Sequence, residues 1–108
     1  MLNLLVIKTQ KLDECLKFYQ TLGLTFVEEK HGDGPTHYSC TMGELVFEIY
    51  PTQRVIMRDA VRLGFKVKSA IDIAHKLDLP YACEKPDGFI VDDPDGRRIH
   101  LTEVDMQG

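Results

Sequence analysis

Apolar and polar positions alternate along this chain in two periods, and each change of period marks an element. Leu2 to Ile7 is a short apolar, partly β-branched run and predicts a strand. Thr9 can cap a helix starting near Lys11, in which Leu12, Cys15, Leu16, Tyr19 and Leu22 share one face. Gly23 follows where helices end on a left-handed residue. Leu24 to Glu29 predicts a second strand, His31-Gly-Asp-Gly-Pro35 a turn, and Thr36 to Met42 a third strand. Gly43-Glu44 is a tight turn, Leu45 to Tyr50 a fourth strand, and Pro51 stops it.

The order then repeats. Ala60 to Val67 predicts a fifth strand, and Ser69 caps a second helix with Asp72 as the acid of a capping box. Ala70, Ile73, Ala74 and Leu77 form its apolar stripe, and Leu79-Pro80 ends it. Tyr81 to Glu84, Phe89 to Asp92 and Arg97 to Val104 predict three more strands, separated by the turns Lys85-Pro-Asp-Gly88 and Asp93-Pro-Asp-Gly96. The expected fold is α+β: two βαβββ modules, residues 1–51 and 60–108, joined by a linker at 52–59. Together they form one domain of paired mixed or antiparallel sheets with a cleft. A helix covering one face of each sheet leaves the other face free to line a pocket.

Composition narrows the partners. The chain has 108 residues, 44% of them hydrophobic and 28% charged, enough for one domain with its own core. A net charge of −4 without a basic cluster argues against nucleic acid. No apolar run reaches the ~18–20 residues of a membrane span. The first residues lack the basic segment and cleavage site of a signal peptide. Cys15, Cys40 and Cys83 are odd in number and form no metal-binding spacing, so they read as buried thiols in a reducing compartment. A cytoplasmic protein is expected. Phosphate-loop and serine-nucleophile motifs do not occur.

Strand alternation sorts the side chains. Leu45, Phe47 and Ile49 are core, which places Val46, Glu48 and Tyr50 on the opposite face. Ile99 and Leu101 are core, which groups Arg98, His100 and Thr102. Val61, Leu63, Phe65 and Val67 oppose Arg62, Gly64 and Lys66. In the third strand His37, Ser39 and Thr41 oppose Tyr38, Cys40 and Met42, and alternation alone does not say which set meets a ligand. The candidate ligand-binding residues are therefore Glu48, Arg62, His100, His37, Tyr50 and Arg98. His31 and His75 read as solvent-exposed, Asp92 to Asp95 as a turn rather than a calcium loop, and Arg97-Arg98 as a solvated basic pair.

Three segments together resemble the vicinal oxygen chelate superfamily of glyoxalase I, bleomycin-resistance proteins and extradiol dioxygenases. They are Leu16-Lys-Phe-Tyr-Gln-Thr-Leu-Gly23, Phe47-Glu-Ile-Tyr-Pro51 and Asp93-Pro-Asp-Gly-Arg-Arg-Ile-His-Leu101. The resemblance covers nearly the whole chain. It implies a βαβββ repeat, often a homodimer, and in metal-using members four ligands on the first, fourth, fifth and eighth strands. Carried over, those positions fall at Leu4 (with Asn3 the neighbouring register), Glu48, Arg62 and His100. Leucine cannot ligate and a guanidinium repels a dication. The resemblance thus implies a small-molecule binder without a complete metal site and with no cofactor. The alternative is a glyoxalase I-like lyase or isomerase using Glu48 and His100 with Ni, Zn, Fe or Mn, a partial site that His37 or substrate oxygens would complete. Whether the chain is an enzyme stays open at this point. Arg62 either neutralises a buried Glu48 or offers donors to an anionic or carbonyl ligand. His100 is either a satisfied cleft histidine or a general acid–base oriented by Glu48.

Overall fold

The repeat expected from the pattern appears as two sheets of matching strand order. A computed structural model describes residues 1–55, 60–78 and 89–104. The first half runs β1 (Leu4–Thr9), α1 (Leu12–Thr21), β2 (Val27–Glu29), β3 (His37–Met42) and β4 (Leu45–Pro51). The second runs β5 (Arg62–Val67), α2 (Ala70–Lys76), β6 (Phe89–Asp92) and β7 (Arg98–Glu103). The strand expected at Tyr81–Glu84 lies outside the described residues, as do Cys83 and residues 56–59 of the linker. The first sheet has the order β1-β4-β3-β2 and the second β5-β7-β6. In each, the first strand pairs parallel to the last, and the last pairs antiparallel to the strand before it. Each parallel pair needs a crossover, which α1 and α2 begin. No helix among the described residues is long and apolar enough to cross a membrane.

The helix signals act locally. The Ser69 side chain accepts the Asp72 N–H at 3.3 Å and caps α2 as its sequence predicts. Gly23 takes φ +105°, a conformation that favours glycine, directly after α1. Thr9 behaves differently from the expected cap. Its hydroxyl accepts the N–H of Lys11, the N-cap residue itself, at 2.8 Å, so it acts two residues ahead of the cap position, and Lys11 caps α1 without a side-chain hydrogen bond.

The core lies between the helices and the sheets. Phe47, Ile49, Val67, Ile99 and Leu101 are buried, on the strand faces that alternation assigns to the interior. On α1, Cys15, Phe18, Tyr19 and Leu22 are buried. Phe18 lies outside the expected stripe yet is buried as well, its ring set against Tyr19. The Tyr19 ring meets Phe47 of β4 at 5.1 Å and Phe65 of β5 at 5.9 Å, with Phe18 edge-on at 5.0 Å.

A buried polar latch joins the halves. Arg97 is 2% exposed, not solvated as the basic-pair reading expects. Its Nη1 donates to Asp93 Oδ2 at 3.0 Å and Asp95 Oδ2 at 2.9 Å, and its Nη2 to the Lys8 carbonyl at 2.7 Å. Asp93 Oδ1 accepts the N–H groups of Asp95 and Arg97, both at 2.9 Å. Asp93 Oδ2 also accepts the Tyr19 hydroxyl at 2.7 Å. Buried ions are tolerated only when partners saturate them in this way. The Asp-Pro-Asp-Gly turn is thus clamped onto α1 and the end of β1. Burial pushes the Cys15 thiol beside it up to about 12 and raises the Tyr19 hydroxyl well above its ordinary range.

Candidate functional site

Register decides which side chains share a face. Glu48 stands opposite Val6 across the β1–β4 pair, and His100 opposite Gly64 across β5–β7. Counted from the start of each parallel pair, Leu4 of β1 and Arg62 of β5 are equivalent, as are Glu48 of β4 and His100 of β7. The third-strand ambiguity resolves as well. Ser39 is the partner of Glu48, so His37 and Ser39 belong to the Glu48 face and Cys40 to the core. On β2, Glu29 pairs with His37 and joins the same face.

His37 is the centre of this face. Its side chain is 1% exposed, and its ring stacks on Tyr50 at 4.0 Å between centroids and 10° between planes. Nδ1 lies 3.2 Å from the Pro35 carbonyl. A carbonyl only accepts, so Nδ1 carries the proton there and Nε2 keeps the lone pair in the neutral ring. Nε2 sits 3.5 Å from Glu48 Oε2. The contact is close enough for an ion pair, yet its geometry makes no hydrogen bond, and Nε2 has no hydrogen-bond partner among the described residues. Partial burial and the Glu48 and Glu29 carboxylates raise the Tyr50 hydroxyl above its ordinary range.

The β2–β3 turn adds two residues that alternation did not select. His31 Nε2 is 3.4 Å from Glu29 Oε2, and the His31 ring lies 5.1 Å from the His37 ring. His31 is exposed as expected, but it is not remote. One donor atom each from Glu29, His31 and His37 fall within 4.8 Å of one another. The signal available in the sequence is a Glu-x-His pair at one end of a hairpin turn and a histidine at the other.

The second sheet contributes less to the Glu48 face. His100 is half-buried and its Nε2 has no partner among the described residues. Arg62 and Arg98 are exposed. The expectation of a buried Arg62 paired with Glu48 is corrected: β5 is an edge strand whose alternate residues face solvent, and no ion pair joins the two. Nor does a hydrogen bond or ion pair join Glu48 to His100. A cavity of about 530 Å³ lies between the end of α1 and α2, against Leu22, Gly23, Lys66, Ser69, Ile73 and Lys76. None of the six candidate ligand-binding residues lines it.

No protein-family model and no curated protein matches the chain. Solved structures do. The fosfomycin resistance protein FosX from Mesorhizobium loti superposes with a TM-score of 0.71 at 14% identity, covering 94% of this chain and 90% of that one. A glyoxalase/bleomycin resistance protein from Albidiferax ferrireducens T118 gives 0.66 at 23% identity, covering 96% and 98%. The fold is that of the vicinal oxygen chelate proteins. A lactoylglutathione lyase from Agrobacterium tumefaciens shares it at 0.60 and 16% identity, over 100% of this chain and 96% of that one. A Glu-to-Gln mutant of the fosfomycin resistance protein FosX from Listeria monocytogenes, solved with Mn(II) and 1S,2S-dihydroxypropylphosphonic acid, superposes at 0.68 and 13% identity, covering 99% of this chain and 94% of that one.

The residues here do not fit a metal at the four positions that the resemblance supplies. Leu4 offers no donor atom, and Arg62 is an exposed permanent cation. Glu48 and His100 remain as two donors that share no contact.

Proposed function

We propose that this protein binds a small polar molecule on the sheet faces that carry Glu48 and His100, without a metal at the fold's four usual positions. One observation carries the proposal: the buried ring nitrogens His37 Nε2 and His100 Nε2 have no partner among the described residues. A buried polar atom left unpaired is costly, and a ligand hydroxyl or amino group, which can donate to the His37 Nε2 lone pair, supplies the missing bond. The Glu48 carboxylate beside His37, the Tyr50 ring stacked on it and the exposed guanidinium groups of Arg62 and Arg98 provide further recognition. Leu4, Val6 and Ile90 are exposed on these same faces, which supports a homodimer that covers them. The free, buried thiols of Cys15 and Cys40 support a cytoplasmic setting.

The test is a thermal-shift screen of small hydroxy-carbonyl, hydroxy-acid and amino compounds in EDTA, followed by calorimetry of each hit. Binding in EDTA is expected, weakened about tenfold by His100→Ala and by Glu48→Gln, the loss of about one hydrogen bond each. Hits that bind both variants unchanged, or that need an added metal, overturn the proposal.

A further inference from the structure

The β2–β3 hairpin gathers ligating atoms at a place the fold's usual metal positions do not use. Glu29 ends β2, His31 opens the turn, and His37 begins β3 opposite Glu29. One donor atom from each lies within 4.8 Å of the others. The Glu29–His31 separation of 3.4 Å already matches the spacing of about 3.3 Å between neighbouring ligands around a tetrahedral ion with bonds of about 2.0–2.1 Å.

His37 supplies an independent pointer. Its side chain is almost wholly buried, and its Nδ1 donates to a backbone carbonyl. Metal-bound histidines are oriented in this way, with the outer nitrogen tied to a carbonyl and the lone pair of the other left for the ion. That lone pair has no hydrogen-bond partner among the described residues and lies 3.5 Å from the Glu48 carboxylate. The Glu48 carboxylate therefore faces an unpaired imidazole nitrogen, and Glu29 adds a second carboxylate to the same cluster of side chains. A lone pair facing an anion is repulsive, and a cation between them reverses the sign of the interaction.

We propose that Glu29, His31 and His37 bind one divalent transition-metal ion of the zinc, nickel or cobalt kind. Two imidazoles and a carboxylate select borderline ions of this class over magnesium or calcium. His37 donates through Nε2, Glu29 and His31 close the site from the hairpin, and Glu48 stands beside His37 to balance charge. The inference goes beyond the ligand-binding proposal; both draw on the His37 lone pair, and running the ligand screen in EDTA keeps their tests distinguishable.

The experiment strips the full-length chain with EDTA, desalts it, and titrates it with zinc chloride and cobalt chloride by calorimetry and thermal shift. One ion per chain, a raised melting temperature and the visible spectrum of four-coordinate cobalt are the expected results. His31→Ala and Glu29→Gln should each weaken binding at least tenfold, and His37→Gln should abolish it. His75→Ala, on α2, and His100→Ala, at the fold's usual position, should leave it unchanged. His31 is exposed and Glu29 half-buried, so these two variants decide the question should His37→Gln fail to fold. No stoichiometric binding, binding insensitive to His31→Ala and Glu29→Gln, or binding lost in His100→Ala overturns the proposal.

Discussion

The Tyr19 hydroxyl donates to the Asp93 carboxylate at 2.7 Å, across 74 residues of chain. The ring of Tyr19 meanwhile packs against Phe47 and Phe65 from the two halves. Removing only the hydroxyl isolates the hydrogen bond from the packing. Tyr19→Phe should cost about 1–3 kcal/mol, the usual penalty for leaving a buried acceptor short of a donor. Urea denaturation of the two proteins at neutral pH measures it. A loss below about 0.5 kcal/mol would show that Arg97 and the turn N–H groups satisfy Asp93 without Tyr19.

Alkaline pH should weaken the fold before it weakens ordinary surface contacts. Burial holds the Cys15 thiol protonated up to about 12, whereas in the unfolded chain it ionises near 9. The folded state then binds more protons than the unfolded state, so stability is full below about pH 9 and falls as pH rises towards 12. Tyr19 adds the same sign from about 10 upward, and Cys40, also raised by burial, adds to the first window. Denaturation midpoints at pH 7, 9 and 10.5 check this, and Cys15→Ala should make the decline shallower. A midpoint flat to pH 10.5 contradicts it.

Two glycines should respond in opposite directions. Gly23 has φ +105°, and an added Cβ meets nothing within 4 Å, so Gly23→Ala suffers only from its backbone conformation. About 1–2 kcal/mol of destabilisation is expected. Gly64 lies in β5, where an added Cβ meets His100 at an ordinary 3.9 Å. Gly64→Ala should be neutral or up to about 1 kcal/mol stabilising, by reducing the freedom of the unfolded chain. Thermal denaturation of both variants gives the comparison.

Ser69→Ala should cost about 1 kcal/mol, the typical value of a lost helix cap. The helix it caps spans only Ala70–Lys76, so little else holds its first turn. Glu103 Oε1, which accepts the Ala70 N–H at 3.2 Å, gives further support, and Ser69→Ala with Glu103→Ala should lose more than either alone. Chemical denaturation of the three variants tests the coupling.

Much of this architecture was legible because it depends on short-range pattern. Two periods of alternation place Phe47, Ile49, Ile99 and Leu101 in the core and Glu48 and His100 on matching outer faces. Gly23 and Ser69 act within a few residues of themselves. Arg97 was not legible, because the Lys8 carbonyl that receives its guanidinium lies far along the chain. An Arg-Arg pair looks solvated until the end of β1 is known to lie above it. Glu29 and His31 escaped for a related reason. A turn histidine looks isolated until the β2–β3 register sets Glu29 opposite His37. The side chain most at odds with expectation, Arg62, follows from strand order, which alternation does not encode.

The latch also has a direction in time. Asp93 is made 74 residues after Tyr19. At about 5–20 residues per second, α1 waits roughly 4–15 s on the ribosome for the carboxylate that its tyrosine will meet. Through that interval the aromatic face of Phe18, Tyr19 and Phe47 is without the part of its cover that the second half provides. A ribosome that stalls before codon 97 releases a chain with no guanidinium to reach the Lys8 carbonyl, a natural substrate for quality control.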